Sequence, residues 1–315
     1  MLTLRQNKHT KLALQLLKWG VLILIGIIAV TTLDFSSVIQ NLRAFQFSTV
    51  LIFFLLASAA TLFYAVRWLL IAGSMGILQL NLLFVLRLNL LSEFVSIVLP
   101  SYLGGDGLRL LRLRPYTTNR NAAMCVLIDR LVGLFTLGIA TLICLPSILP
   151  LLNISIDSQV IPYIVIIAGV LAVAGLLLIR QIPRLLLAFG LGDLHFDVKP
   201  LLIAALLSLV GHMIYASAYA VLFLSLTDAT PVQVMAITLL ALLTRSIPVS
   251  FLGVEVSDGS LVVLGQLLNI DPTLSLAVVA VVLSSRYVFA LIGFAWELMT
   301  DGLGFLANVS RKSAA

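Results

Sequence analysis

Long apolar runs separated by short polar segments make up most of the chain. Runs of ~20 residues or more can cross the ~30 Å hydrocarbon core of a bilayer as α-helices, which rise about 1.5 Å per residue. This pattern predicts six full transmembrane helices, near residues 12–33, 47–71, 121–148, 161–180, 200–226 and 273–298. Of the 315 residues 61% are hydrophobic and 10% are charged, and the mean hydropathy of +1.18 is far above that of a soluble domain. We therefore predict an all-α polytopic membrane protein with a single integral membrane domain over residues 1–315.

Two further apolar segments, 82–113 and 232–268, are interrupted near their centres. The interruptions read PSYLGGD and PVSFLGVEVSDG, and both combine proline, glycine and an acidic residue. Proline ends a helix and glycine permits a reversal of the chain. Backbone groups that leave a helix inside hydrocarbon are costly unless protein or water satisfies them. The breaks therefore predict two re-entrant hairpins, each of which returns to the side of the membrane from which it entered.

The positions of lysine and arginine predict the orientation of the chain. With a cytoplasmic N-terminus and two re-entrant hairpins, the basic residues of the loops fall on or near the cytoplasmic side, apart from Arg43. A complete crossing by 82–99 would instead translocate the basic cluster Arg109–Arg120, which the positive-inside rule disfavours. We predict that both termini are cytoplasmic, that 181–199 is an interfacial segment, and that the protein is a multi-pass protein of a plasma membrane, with a bacterial inner membrane favoured.

The two interruptions also resemble each other. Both read proline, serine, aromatic, leucine, glycine, any residue, acid, with one extra residue after the second proline. Each is preceded by a span and followed by a span that carries an arginine, at Arg130 and at Arg286. This order predicts two repeats, 47–148 and 200–298, inserted in opposite orientations. Inverted repeats of this kind are typical of transporters, in which broken helices meet near the membrane midplane and form a site.

Four arginines lie inside apolar runs, where each costs about 2.5 to 3.5 kcal/mol and needs a polar environment. They are Arg87, Arg130, Arg245 and Arg286. The carboxylates available to them are Glu93, Asp106, Asp129, Glu255, Asp258 and Glu297. The equivalent positions of Arg130 and Arg286 predict a shared role at a central site. Arg87 and Arg245 either belong to that site, hold helices together as buried ion pairs, or reach an interface with their head groups.

The first interruption has the composition of a phosphate-binding turn. A half-helix that begins there presents its N-terminal dipole end to anions, and GLRLLRL places Arg109 and Arg112 on one helical face. Guanidinium groups bind phosphate with paired hydrogen bonds. The candidate substrate-binding residues are Ser101, Gly104, Gly105, Asp106, Arg109, Arg130, Arg286, Glu255 and Asp258.

The remaining reactive side chains point to no metal site or catalytic centre. His212 has no second histidine or carboxylate at ligand spacing, so a hydrogen-bonded core histidine is favoured over a proton relay. Cys125 and Cys144 lie in apolar runs without a CxxC partner and are interpreted as small core residues. We predict no metal, no cofactor and no catalytic residue.

The stretches LPSYLGGDGLRLLRL, AAMCVLIDRLVGL and IPVSFLGVEVSDGSLV together resemble the lysylphosphatidylglycerol synthase/flippase transmembrane-domain family. The family's first motif, Pro-Ser-x-x-Gly-Gly-Asp-x-x-Arg, is intact from Pro100 to Arg109, and Arg130 follows it. Its second motif, Pro-x-Ser-x-Gly-Gly-x-Gly-x-Arg-Glu-Gly, is eroded. Of that motif the chain retains Pro248, Ser250, Gly253 and Gly259, has Asp258 in place of glutamate, and has Leu252, Glu255 and Ser257 in place of two glycines and an arginine. The resemblance implies a stand-alone translocase-like module, without the soluble aminoacyl-transferase domain of bifunctional relatives.

Together, these features predict a lipid flippase that moves an anionic phospholipid or lipid-linked amphiphile past a central arginine and aspartate site. No GxxxxGK[ST] motif is present, so direct use of ATP is not predicted. One alternative is a membrane enzyme of lipid or lipid-linked glycan biosynthesis. Another is an accessory subunit that docks a lipid-synthesis enzyme through the cluster Arg109–Arg120. The expected partners are membrane lipids, a homo-oligomer is left open, and the net charge of +6 is assigned to topology and not to nucleic acid.

Overall fold

The computed structural model describes residues 35–98, 103–152, 197–246, 250–251 and 253–300. These ranges contain nine α-helices, so the prediction of an all-α polytopic membrane protein is confirmed. The helices are α1 (Phe35–Ala44), α2 (Phe47–Ser74), α3 (Leu82–Val98), α4 (Leu103–Leu113), α5 (Asn119–Cys144), α6 (Val198–Leu224), α7 (Pro231–Leu243), α8 (Val256–Gly265) and α9 (Pro272–Thr300). The predicted spans near 12–33 and 161–180, and nearly all of the interfacial segment 181–199, lie outside the described residues.

Within the described ranges, four helices are long and apolar enough to cross a membrane: α2, α5 with the 3₁₀ turn that follows it, α6 and α9. Each has 27 to 29 residues, or about 40 Å, which exceeds the ~30 Å hydrocarbon core. They coincide with four of the six predicted spans. Two of them begin at capping side chains, since Thr118 accepts a hydrogen bond from the Asn121 amide and Asp197 accepts one from the Lys199 amide.

Both interrupted segments are broken helices, and the breaks fall where the sequence predicts them. In the first, α3 and α4 are separated by residues 99–102. In the second, a 3₁₀ turn over Thr244–Ser246 follows α7, and a two-residue antiparallel ladder then pairs Ser250–Phe251 with Val254–Glu255 before α8. Gly253 has a φ of 78°, a conformation that glycine adopts without strain, so this glycine does serve a reversal.

The expectation that the glycines of the first interruption permit the reversal is wrong, because Gly104 and Gly105 lie inside α4. A Cβ on Gly105 would lie 2.8 Å from the Ser96 hydroxyl oxygen and 2.9 Å from the Ser92 carbonyl oxygen. The absence of a side chain therefore lets α4 pack closely against α3. This glycine serves helix packing and not a change of chain direction.

The helices pack in pairs that correspond between the two predicted repeats. The long helices α2 and α6 pack on each other, α2 also packs on α3, and α6 also packs on α7. The arms α3 and α4 contact each other, as do α7 and α8. Each first arm crosses to the other half of the chain, since α3 packs on α9 and α7 packs on α5. Gly293 of α9 makes the first crossing possible, because a Cβ there would lie 2.3 Å from the Leu90 carbonyl carbon.

Buried apolar side chains form two clusters at opposite ends of the long helices. One cluster joins the first half of α2 to the second halves of α5 and α6 and to α7, with Phe53 and Phe223 fully buried. The other joins the second half of α2 to the first halves of α5 and α6 and to α3, around Trp68. Between them, at mid-height, these helices carry polar side chains, including the buried Ser208. The fold therefore places a polar layer between two apolar layers.

Candidate functional site

A cavity of about 420 Å³ lies in this polar layer. Residues of α2, α3, α4, α5, α6, α7 and α9, together with the turn after α7, line it. Among the described residues, its charged lining consists of the five arginines Arg67, Arg109, Arg130, Arg245 and Arg286 and the three acids Glu93, Asp106 and Asp129. Arg286 has fourteen residues of α9 on either side of it. Because α9 is long enough to span a bilayer, the cavity lies near the middle of the spans.

The pair Asp106–Arg130 joins the first turn of α4 to α5 across the cavity. The Arg130 Nε donates to one carboxylate oxygen of Asp106 at 2.9 Å, and a terminal guanidinium nitrogen donates to the other oxygen at 2.8 Å. Of the arginines in the described ion pairs around the cavity, Arg130 is the most exposed, with 40% of its side chain accessible against 15% for Asp106. The guanidinium of this pair is thus accessible from the cavity.

A second cluster surrounds Asp129, which is buried on α5. Arg67 of α2 contacts one oxygen of Asp129 through its Nε at 2.9 Å and a terminal nitrogen at 2.8 Å. Arg109 of α4 lies 3.6 Å from the other oxygen of Asp129 and 3.9 Å from Asp106. The described ion pairs of Asp129 are thus with Arg67 and Arg109 on other helices, and not with its neighbour Arg130. Arg109 instead lies between two carboxylates on two helices.

A hydrogen-bonded network extends from Arg67 to His212 on α6. Arg67 donates to the Ser208 hydroxyl at 3.0 Å, and Ser208 lies 3.4 Å from the His212 Nε2. The same Nε2 lies 3.0 Å from the Gly133 carbonyl oxygen, and the Nδ1 lies 3.0 Å from the Tyr64 hydroxyl. Because a carbonyl oxygen accepts only, the Nε2 carries the proton that it donates to Gly133. His212 is hydrogen-bonded as the sequence suggests, and it also lines the cavity.

The pair Asp258–Arg286 is a second bidentate pair, in the second half of the chain, although its arginine uses a different pair of nitrogens from that of Arg130. Two terminal nitrogens of Arg286 donate to the two carboxylate oxygens of Asp258, at 2.8 and 2.9 Å. Arg286 also donates to the Gly253 carbonyl oxygen at 2.9 Å, and Asp258 accepts from the Glu255 amide at 2.8 Å. Only 6% of the Arg286 side chain and 5% of the Asp258 side chain are exposed. This pair therefore fixes the second hairpin to α9.

Arg245 connects the two broken helices close to their breaks. It follows α7 and lies 2.9 Å from Glu255 at the start of α8, and 3.9 Å from Glu93 near the end of α3. The two broken helices also touch through apolar groups, because a Cβ on Gly253 would lie 3.2 Å from the Ile97 side chain. Glu255 is buried, whereas 33% of the Glu93 side chain is exposed. An ion pair thus spans the point where the two broken helices meet.

A further ion-paired group lies away from the cavity lining, at the end of α9. Glu297 pairs with Arg112 of α4 and lies 3.6 Å from the Arg87 Nε on α3. Arg112 therefore does not share the position of Arg109, although both lie on α4. All six acids expected to compensate the intramembrane arginines do form ion pairs with arginine.

The predicted site residues fall into four groups. Asp106, Arg109, Arg130 and Arg286 line the cavity. Glu255 and Asp258 lie behind Arg245 and Arg286, where they are buried. Gly104 and Gly105 belong to α4 and are not among the described lining residues. Ser101 lies outside the described residues.

Sequence reasoning missed part of the cavity wall. Arg67 falls inside the predicted span 47–71 but was assigned to the cytoplasmic side by its position near the end of that run. His212 was interpreted as a hydrogen-bonded core histidine, and Tyr64 was not singled out, although both line the cavity. The signal available was the spacing of Tyr64 and Arg67, three residues apart and so on one face of a helix. Among the described residues, no group of three or more His, Cys, Asp or Glu side chains could hold a metal ion.

Comparison with known protein families identifies the family of this chain. A search of curated proteins finds no match. Residues 15–293, which include both hairpins and every lining residue named above, match the family model described as the lysylphosphatidylglycerol synthase TM region. Because the match covers most of the chain, the protein belongs to this family of membrane domains.

Proposed function

We propose that the protein is a lipid flippase that moves a phosphate-bearing anionic amphiphile across the membrane. The head group passes through the central cavity, and the acyl chains remain in the surrounding lipid. The observation that carries this proposal is a cavity at the middle of apolar spans whose wall has five arginines and three carboxylates. Membership of a family named for a lipid synthase supports a lipid-related role.

The charges of the cavity wall favour an anionic head group. Guanidinium groups bind phosphate through paired, charge-assisted hydrogen bonds, and Arg130 is the most exposed of these cations. An isolated arginine in hydrocarbon is costly, so each is held by a carboxylate. A phosphate that enters the cavity exchanges one anionic partner for another. The guanidinium group therefore stays compensated during passage.

The size of the cavity supports passage of a head group and not of a whole lipid. Its volume of about 420 Å³ falls in the range of about 300 to 1,000 Å³ typical of small-molecule sites. Two acyl chains would not fit beside a head group in this space. A translocation path in which only the head group leaves the lipid phase is therefore favoured.

The arrangement of helices supports two inverted repeats with re-entrant hairpins. The arms α4 and α8 have 11 and 10 residues, or about 15 Å, which is half of the ~30 Å hydrocarbon core. The corresponding packing pairs of the two halves and the two bidentate Arg–Asp pairs are consistent with a duplicated unit. Rocking of one half against the other around a central site is the usual transport mode of such folds.

The topology proposed with this function places both termini in the cytoplasm. The proposed location is a plasma membrane, with a bacterial inner membrane favoured. In that orientation the basic loop between α4 and α5 is cytoplasmic, in agreement with the positive-inside rule. Membrane lipids are the proposed partners. The activity is proposed to require no ATP and no cofactor.

Leaflet exchange in liposomes tests the proposed function. Purified protein is reconstituted with fluorescently labelled phosphatidylglycerol, phosphatidylethanolamine or phosphatidylcholine, and the outer-leaflet label is bleached with a membrane-impermeant reductant. We expect bleaching beyond the outer leaflet to be fastest for phosphatidylglycerol, because its head group carries a net negative charge. Protein-free liposomes give the background. Equal bleaching with and without correctly folded protein for all three lipids would contradict a flippase activity toward phospholipids.

A further inference from the structure

The guanidinium group of Arg130 is already held by an anion that belongs to the protein. Asp106 accepts from the Arg130 Nε and from a terminal nitrogen, at 2.9 and 2.8 Å, with one oxygen for each donor. Guanidinium binds two oxygens of a phosphate with the same parallel geometry. Asp106 therefore takes the two donor positions that a head-group phosphate would use, and the two anions compete for Arg130.

A carboxylate displaced from Arg130 has a second cation within reach. Arg109 lies one helical turn from Asp106 and 3.9 Å from it, and lies 3.6 Å from Asp129. Both distances are longer than the 2.7 to 2.9 Å of a charge-assisted hydrogen bond. The buried Nε of Arg109 has no hydrogen-bond partner among the described residues. A small rotation of either side chain would bring Asp106 into full contact with Arg109, without leaving a bare carboxylate in the protein interior.

The equivalent pair in the second half is not built for exchange. Arg286 is held by Asp258 and also by the Gly253 carbonyl, and Asp258 is held by the Glu255 amide as well. The exposed fraction of the side chain is 6% for Arg286, against 40% for Arg130. Opening this pair would release the second hairpin from α9. The two pairs are thus both bidentate but differ in access.

We propose that Asp106 is an exchangeable counterion: it occupies Arg130 between substrates and transfers to Arg109 when the head-group phosphate binds Arg130. This inference rests on the proposed function, because it assigns the phosphate to Arg130. The competition lowers the affinity for the head group, and the transfer keeps the cavity charges paired. Weak binding favours release on the far side, which transport requires. Arg109 acts here as a positioning residue for Asp106.

Binding of sn-glycerol 3-phosphate to the detergent-purified full chain tests the exchange, with isothermal titration calorimetry as the measurement. The variants are Asp106→Asn, Arg109→Gln, the double variant, and Arg130→Gln. We expect Asp106→Asn to tighten binding about tenfold, because it removes the competing charge. Arg109→Gln should weaken binding about tenfold in the wild-type background but less than about twofold in the Asp106→Asn background, because no carboxylate then needs a new partner.

The outcomes separate the exchange from the proposed function. Equal weakening of binding by Arg109→Gln in both backgrounds would overturn the exchange, because Arg109 would then attract the phosphate itself, directly or at long range. Binding that depends on Arg130 would in that case still support the proposed head-group site. Binding that is unchanged in Arg130→Gln, or absent from every variant, would overturn the head-group site and the exchange together. If Asp106→Asn fails to give a monodisperse protein, Asp106→Ala takes its place, because it removes the same carboxylate and alanine is a strong helix former. The same coupling with Arg109→Gln is then expected.

Discussion

Replacement of Arg286 by methionine should destabilise the protein much more than replacement of Arg130 by methionine. Each arginine forms a bidentate contact with an aspartate, but Arg286 and Asp258 are almost completely buried, whereas 40% of the Arg130 side chain is exposed. Removal of one partner from a buried ion pair leaves an uncompensated charge and costs about 3 to 5 kcal/mol. An ion pair with an exposed partner contributes about 1 kcal/mol or less.

The stability difference can be measured by heating each purified variant in detergent and following the monodisperse peak in size-exclusion chromatography. At roughly 2 to 4 °C per kcal/mol, the apparent Tm of Arg286→Met should fall on the order of 10 °C, and that of Arg130→Met by a few degrees at most. The apparent Tm is compared at one heating time, because such unfolding is often irreversible.

A second substitution tests whether the buried Asp258 carboxylate, once it has lost Arg286, causes the loss of stability. Asp258→Asn in the Arg286→Met background removes the negative charge but keeps an acceptor for the Glu255 amide. We expect the double variant to recover more than half of the loss in apparent Tm, since a buried pair can be replaced by uncharged groups at little cost. Equal Tm losses for Arg286→Met and Arg130→Met, or a further loss in the double variant, would refute this reasoning.

Two glycine predictions have controls within the same helix or an equivalent one. Gly293→Ala should lower the apparent Tm strongly, because the added Cβ would collide with the backbone of α3. Gly138→Ala should leave the apparent Tm unchanged or raise it, because nothing lies within 4 Å of the added Cβ. Gly105→Ala should weaken the contact between α3 and α4 and lower the yield of monodisperse protein, whereas Gly107→Ala on the same helix has open space and should be tolerated. A control variant that loses as much stability as its partner would contradict the corresponding packing argument.

The sequence predicts the broken helices well, because proline, glycine and an acid inside an apolar run are a strong local signal. The helices α3 and α4 occupy the predicted range 82–113, and α7 and α8 with their 3₁₀ turns nearly match 232–268. Four of the six predicted spans are likewise matched by the four long helices. These features depend on hydrophobicity and helix-breaking residues alone, so they can be predicted from a single sequence.

The pairing of charges is less accessible from the sequence. The motif alignment places Glu255 opposite Asp106, yet Asp258 makes the bidentate contact that corresponds to Asp106–Arg130. Both aspartates lie in the first turn of a second arm, so the start of that helix decides which acid faces the arginine. The start of α8 follows from the two-residue ladder before it, and no local sequence signal indicates this ladder. Arg130 and Arg286 also occupy equivalent positions in the sequence pattern, and this pattern does not indicate that Arg286 is buried while Arg130 is partly exposed.

The central claim is tested most directly by the dependence of leaflet exchange on Arg130. Liposomes with matched amounts of correctly folded wild type, Arg130→Lys and Arg130→Gln are compared for exchange of fluorescent phosphatidylglycerol. The account predicts that Arg130→Gln reduces the rate to the protein-free background, and that Arg130→Lys retains part of it, since lysine keeps the charge but not the paired donors. Exchange by Arg130→Gln at the wild-type rate would show that the head group does not pass this guanidinium and would contradict the proposed path.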